Sequence, residues 1–169
     1  MKLTFSQINS DPRIVEFIKQ SEKVLRVEGF TEHGFRHAKL VADRARTIAR
    51  EIGLSRREQE LCAIAGYCHD MGSFLGRTQH HYWGALIFGQ LYLNDVDAKE
   101  ITLIMQAIAN HDKEEMKMSS PISAVVVLAD KSDVHRERVL IKNISKIKED
   151  IHDRVNYATT RTKLGINKN

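Results

Sequence analysis

The stretch Leu61–Gly72, LCAIAGYCHDMG, constrains this chain more than any other. Leu61, Ile64, Ala65 and Cys68 recur at i, i+3, i+4 and i+7, which is one face of a helix. His69 falls four residues after Ala65 and extends that inward stripe; Asp70 follows, and Met71-Gly72 lets the chain leave the helix. A histidine and a carboxylate at the buried end of an apolar helix are costly unless something pairs with them. A metal ion would satisfy both, taking imidazole nitrogen and carboxylate oxygen as neighbouring ligands. The dipeptide alone is weak evidence, because His-Asp occurs at 69–70, 111–112 and 152–153. Context has to separate the three.

Other segments repeat the theme. Residues 1–9 read as an irregular arm, and Ser10-Asp11-Pro12 starts a helix running to about Val27, closed by Gly29. In EHGFRHAKLVADRARTIAREIG, His37 opens an inward stripe continued by Val41, Ala45, Ile48 and Ile52 and ended at Gly53. His33, one turn earlier, is open between lining a cleft and facing water. Ser55-Arg56-Arg57-Glu58 is a capping box that starts the organising helix. HHYWGALIFGQLYL is an apolar helix in which Gly84, four residues after His80, permits close packing, while His81 points away toward the surface. Val96–His111 carries Ile101, Ile104, Met105 and Ile108 ahead of His111. Ser120-Pro121 reads as an N-cap with a first-turn proline, and ISAVVVLAD then runs as a buried helix to an inward-facing Asp130. Beyond Lys131, an amphipathic stripe of Val134, Leu140, Ile141, Ile144, Ile147, Ile151 and Val155 marks at least one more helix, with His152-Asp153 on its exposed side.

The 169 residues suit one domain with a real core, and 42% hydrophobic with 28% charged residues excludes bulk disorder. No apolar run reaches the roughly 20 residues of a membrane span, and MKLTFSQINS lacks the apolar centre of a signal peptide. Cys62 and Cys68 lie near opposite faces of one helix and read as reduced core residues, as expected of a cytoplasmic protein. Residues 131–169 hold ten of the 26 Lys/Arg but five of the 22 Asp/Glu, so the net charge of +4 gathers in a basic C-terminal segment. That surplus suits either a polyanionic partner or a solvated surface.

Successive helices therefore deliver His37, His69, Asp70, His80, His111 and Asp130 to the ends or edges of apolar stripes. Mixed imidazole and carboxylate ligands suit Mn²⁺, Fe²⁺, Co²⁺, Ni²⁺ or Zn²⁺ rather than Ca²⁺. Six exceed what one catalytic zinc takes from protein and would serve two ions if a carboxylate bridges.

His37 followed by Val41, His69-Asp70 followed by Met71-Gly72, and Ala129-Asp130 resemble, in order and spacing, the signature of the HD-domain superfamily of metal-dependent phosphohydrolases. The resemblance covers roughly residues 30–135 and leaves 136–169 as a basic helical extension. It implies an all-α helical bundle with one or two divalent metals between helices, Mg²⁺ also being admissible. His37, His69, Asp70 and Asp130 would hold the first ion, with Asp70 as the bridge and Asp70 and His69 at the catalytic centre. His80, in H-x-x-x-G-A, and His111, in I-A-N-H-D, resemble the extra histidines of the two-metal branches. The loop DKEEMKMSSP lacks the Gly-Tyr-Pro of the cyclic-dinucleotide branch, and KSDVHRERV is only loosely like the alarmone hydrolases.

Metal-activated water acting on a phosphate ester is the chemistry such a site implies. Nearby cations would stabilise the charge on phosphoryl oxygens, and Lys131, Arg136 and Arg138 stand just past a ligand, with Lys113 of similar standing. The expected substrate is a small phosphate ester, a nucleotide first, its base resting on residues such as Phe74, Tyr82 and Trp83; duplex nucleic acid and membranes are not expected. The competing reading is a metal-binding regulatory module that senses a ligand without turnover. The sequence leaves open whether the chain forms a homo-oligomer.

Overall fold

The computed structural model describes residues 2–113, 115, 117–140, 147 and 149–167, and among them there are helices and no strand. The α-helices are α1 (Phe5–Ser10), α2 (Pro12–Val27), α3 (Phe35–Glu51), α4 (Arg56–Cys68), α5 (His80–Tyr92), α6 (Ala98–Asn110), α7 (Pro121–Lys131) and α8 (Ile151–Ala158), with 3₁₀ turns at Met71–Leu75 and Arg136–Arg138. Their starts follow local chemistry. Ser55 and Glu58 cap α4 reciprocally, while the Asp11 and Ser120 side chains accept backbone N–H bonds ahead of Pro12 and Pro121.

Helix α4 runs through the centre, packed by α1, α3, α6 and α7, and every residue from Leu61 to Cys68 is buried. Its small residues make this crowding possible: a Cβ on Gly66 would lie 3.2 Å from the Val41 carbonyl of α3. At its C-terminal end the chain tightens into the 3₁₀ turn, which packs against α2 and α5. The approach is closest between Gly72 and Gly84, where a Cβ on Gly72 would fall 2.2 Å from the His80 carbonyl and 2.4 Å from the Gly84 nitrogen. The expectation that Gly84 serves close packing holds, and Gly72 is its partner. Cys62 and Cys68 are free and buried, and burial pushes the Cys62 thiol up to about 12, away from nucleophile chemistry. Among the described residues no helix is long and apolar enough to cross a membrane.

Two expectations need correction. The expected irregular arm over residues 1–9 is helical from Phe5 onward, because Thr4 and Gln7 form a capping box that starts α1, and Ile8 is fully buried. The helix expected beyond Lys131 is present as α8, which begins at Ile151 after the 3₁₀ turn at Arg136–Arg138, but its inward face differs from the expected one. Ile141 and Ile144 lie outside the described residues, and Ile147 is buried. Ile151 and Val155 are exposed, whereas Asp153 and Asn156 form the buried side of α8, the reverse of the expected orientation. The cause is local pairing. Asn156 accepts the backbone N–H of His135, and the Arg136 N–H bonds the Thr159 carbonyl, which turns the polar face of α8 inward.

Candidate metal centre

The ends of α4, α6 and α7 and the starts of α3 and α5 meet at one point, and there the six expected side chains converge. His37, His69 and His80 are fully buried, and His111, Asp70 and Asp130 nearly so. Around one oxygen of Asp70, the His69 Nε2 lies 3.0 Å from Oδ2 and the His37 Nε2 3.6 Å from it. Asp130 Oδ1 completes this group at 3.3 Å from His37 Nε2 and 3.7 Å from His69 Nε2. Around the other oxygen, Oδ1, stand His80 Nε2 at 3.0 Å and His111 Nε2 at 3.4 Å.

The second nitrogen of every ring explains why the first points inward. His37 Nδ1 lies 2.7 Å from Asp133 Oδ2, His69 Nδ1 2.7 Å from the Gly66 carbonyl, His80 Nδ1 2.9 Å from the Arg77 carbonyl and His111 Nδ1 2.7 Å from the Ile108 carbonyl. These partners only accept, so Nδ1 carries the proton and Nε2 of the neutral ring presents a lone pair. The lone pairs then face each other at 3.1 Å, His37 against His69 and His80 against His111. Such facing acceptors repel unless positive charge sits beside them. The titration trend has the same sign. Burial pulls the His69 imidazole down, yet Asp70 and Asp130 lift it on balance. Burial raises Asp70 and Asp130, but the surrounding imidazoles outweigh it and hold both carboxyls well below their usual range. His37, His69 and Asp70, then His69, His111 and Asp130, then Asp70, His80 and His111 each bring donor atoms within 4.8 Å of one another, and such trios of imidazole and carboxylate are the donor set of a borderline divalent metal.

The HD domain family model matches residues 34–135, the span that carries all six side chains. The chain belongs to the HD domain family. The crystal structure of a predicted HD superfamily hydrolase from an uncultured Thermotogales bacterium is similar to this HD domain protein, with a TM-score of 0.57 and 20% identity over 73% of this chain and 67% of that one. At that identity the likeness bears on the fold alone. No curated protein matches the chain. At family level, membership supports a metal-dependent hydrolase, and the His/Asp clusters point to a divalent metal site.

A cavity of about 730 Å³ opens onto this centre. Its walls include Asp70 and Asp130, the cations Arg77, Lys131 and Arg138, and, on the side of α8, Glu149, Asp150 and Asp153. Lys131 fits the expectation of a cation beside the site, with Nζ 3.1 Å from Asp130 and 3.2 Å from Asp112. Arg138 is buried, and its N–H groups go to the Glu32 and Asp133 carbonyls and to His33 Nε2, so it braces the wall. Arg136 is not in the wall; its Nε donates to the Tyr157 carbonyl and its guanidinium lies over the Tyr157 ring. Lys113 rests on Tyr82. Phe74 packs on Phe17 and, like Tyr82 and Trp83, is absent from the wall, whose aromatic residue is Phe30. His33 lines the cavity, and burial holds it near 3 and therefore neutral.

Asp133 and Arg77 escaped the sequence reading, and Asp153 and His81 were placed by it at the surface. Asp133, with a fully buried side chain, takes the His37 Nδ1 proton bond and a 2.8 Å bond from Arg36 Nη2. Arg77 donates from Nη1 to Asp70 Oδ1 at 3.2 Å and to His80 Nε2 at 3.1 Å. Asp153, read as exposed, is buried in the cavity wall, where burial and the adjacent Asp150 push its carboxyl up. His81, read as a surface residue, keeps a buried Nδ1 with no hydrogen-bond partner among the described residues, close to His80 and Asp112. The segment A-D-K-S-D, with Asp133 three residues past Asp130, was the available signal for the first of these. The other three depend on long-range packing.

Proposed function

We propose that the protein is a phosphohydrolase of nucleotides or related small phosphate esters that works with two divalent ions bridged by Asp70. The observation that carries this is the division of the Asp70 carboxylate, Oδ2 toward His37 and His69, which Asp130 also meets, and Oδ1 toward His80 and His111. Mn²⁺, Fe²⁺, Co²⁺, Ni²⁺ and Zn²⁺ all suit that donor set. Held there by His37, His69, Asp70, His80, His111 and Asp130, such ions would supply Lewis acidity toward phosphoryl oxygens and a water whose pKa is lowered toward neutrality.

The chain's own residues do the rest. Asp133, Gly66, Arg77 and Ile108 fix each imidazole by its Nδ1 proton, so the ligand lone pairs need no reorientation. Lys131, half exposed beside Asp130, is the cation placed to meet the phosphate. The far side of the cavity suits the other end of a nucleotide. Glu149, Asp150 and Asp153 accept hydrogen bonds from sugar hydroxyls or base amino groups, and Phe30, Ile151 and Val155 offer apolar surface for the base. The test is phosphate release from nucleoside mono-, di- and triphosphates and a small diester, by protein loaded with Mn²⁺, Co²⁺, Ni²⁺ or Mg²⁺. Turnover of at least one nucleotide is expected. Metal uptake without turnover on any of these compounds would favour the ligand-sensing reading instead.

A further inference from the structure

The outer side of the second ligand group carries a cation of the protein's own. Nη1 of Arg77 lies 3.2 Å from Asp70 Oδ1 and 3.1 Å from His80 Nε2, two of the three atoms that the two-ion reading gives to the second ion. The guanidinium nitrogen has two hydrogens, and these two acceptors use both. The same side chain is held elsewhere too: Nη2 bonds Asp112 Oδ2 at 3.0 Å, and the guanidinium lies over the Phe30 ring. Among the described residues the first group has no such competitor at its inner atoms, since Lys131 approaches the outer oxygen, Oδ2, of Asp130.

We infer that Arg77 and the second divalent ion compete for Asp70 Oδ1 and His80 Nε2, so that the first position binds its ion firmly while the second fills only when Arg77 lets go. This rests on the two-ion reading above and adds an order of filling to it. A lone pair engaged by an N–H is not free for a metal, and a fixed positive charge at hydrogen-bond distance opposes a second one. Arg77 has somewhere to go. Keeping its Asp112 bond and its place on Phe30, the guanidinium faces the cavity, where it stands beside Lys131 as a second phosphate contact. An incoming phosphate would thus draw Arg77 off the ligands and favour occupancy of the second position. The Arg77 carbonyl orients His80 through the backbone, so replacing the side chain leaves that ring in place.

The experiment is calorimetric titration with Mn²⁺, with electron paramagnetic resonance of the bound ions, on wild-type protein, Arg77→Met and Lys131→Met. Arg77→Met keeps an unbranched stem of similar length and removes the donors and the charge. Wild type is expected to take one tight and one weak Mn²⁺, and Arg77→Met to tighten the weak event about tenfold or more, within the range of ordinary site coupling. The spin-coupled pair signal should then appear at correspondingly lower Mn²⁺, with the tight event unchanged. Lys131→Met removes an equal charge from the same cavity and should leave the weak event within about threefold, because it touches neither contested atom. An unchanged weak event in Arg77→Met would overturn the competition while leaving the two-ion reading standing, and so would an equal gain in Lys131→Met. Uptake of a single Mn²⁺ by both wild type and Arg77→Met, or of none, would overturn it together with that reading.

Discussion

Asp133 touches no proposed ligand atom, yet it determines which nitrogen of His37 carries the proton. Its carboxyl is raised by burial but held well below the usual range by His37 and Arg36, so it stays an anionic acceptor. Asp133→Asn leaves an amide that can present its NH₂ to Nδ1 and invert the tautomer. We expect metal affinity or turnover to fall by about 10–100-fold, the usual cost of losing a group that orients a ligand. Asp70→Ala removes both oxygens that hold the two groups together and should abolish turnover along with metal binding, as read by metal analysis beside kinetics. Asp153→Asn belongs to a different class of effect. Its carboxyl lies in the cavity wall, so the Michaelis constant for nucleotides should rise while metal content stays unchanged. Loss of metal in Asp153→Asn would contradict its assignment to the substrate side.

At the scale of elements, the centre depends on how closely α5 can approach the turn after α4. A methyl group at Gly72 would fall within 2.4 Å of the Gly84 nitrogen, whereas one at Gly84 would meet Gly72 and Ile108 at 3.3 Å. Gly72→Ala must therefore push α5 outward, taking His80 away from Asp70. Its loss of stability in thermal denaturation should exceed that of Gly84→Ala, which we place at about 1–3 kcal/mol as for ordinary overpacking. Helix α2 has its own electrostatic anchor. The Arg13 guanidinium bonded to Asp11 holds that carboxyl well below its ordinary value of 3.8, and the Tyr92 hydroxyl of α5 adds a 2.6 Å bond. A carboxyl depressed by folding stabilises the fold above its unfolded value, and that contribution fades as the pH falls through the folded one. Asp11→Ala should cost about 1–2 kcal/mol near neutral pH, through lost capping. The difference from wild type should shrink in acid below about pH 3.8. A gap that widened in acid would contradict the sign.

For the whole molecule, the metal centre sits where five helices end, so ions bound there join elements that otherwise meet through side-chain packing. A ligand that binds only the folded state stabilises it by about 2.7 kcal/mol at a hundredfold excess over its dissociation constant. Removal of metal with a chelator should lower the melting temperature, and Mn²⁺ should restore it. The apolar core around α4 is built without the ions, so helical circular dichroism should persist in the chelated protein at low temperature. Loss of the helical signal on chelation would mean that the core does not stand by itself.

Periodicity, bounded by cap, proline and glycine signals, carried the sequence to the helices from α2 to α7 and to the six inward side chains, because the side-chain direction on a helix follows from residue number. The capping boxes were legible for the same reason, being contacts three residues long; that of Thr4 and Gln7 was present and unread. Only the tertiary structure decided how those side chains divide between the two oxygens of Asp70, since that depends on the crossing of helices distant in sequence. His37 and Asp133 are 96 residues apart, and no spacing rule links them. Arg77 belongs to a loop, where side-chain direction has no period, and its contact with Asp70 and His80 depends on where that loop is packed. The inward face of α8 was misread because the apolar stripe predicted one orientation, whereas hydrogen bonds to residues 135 and 136 imposed another. Local pattern fixes what a residue can reach along its own helix; packing between helices decides what it meets.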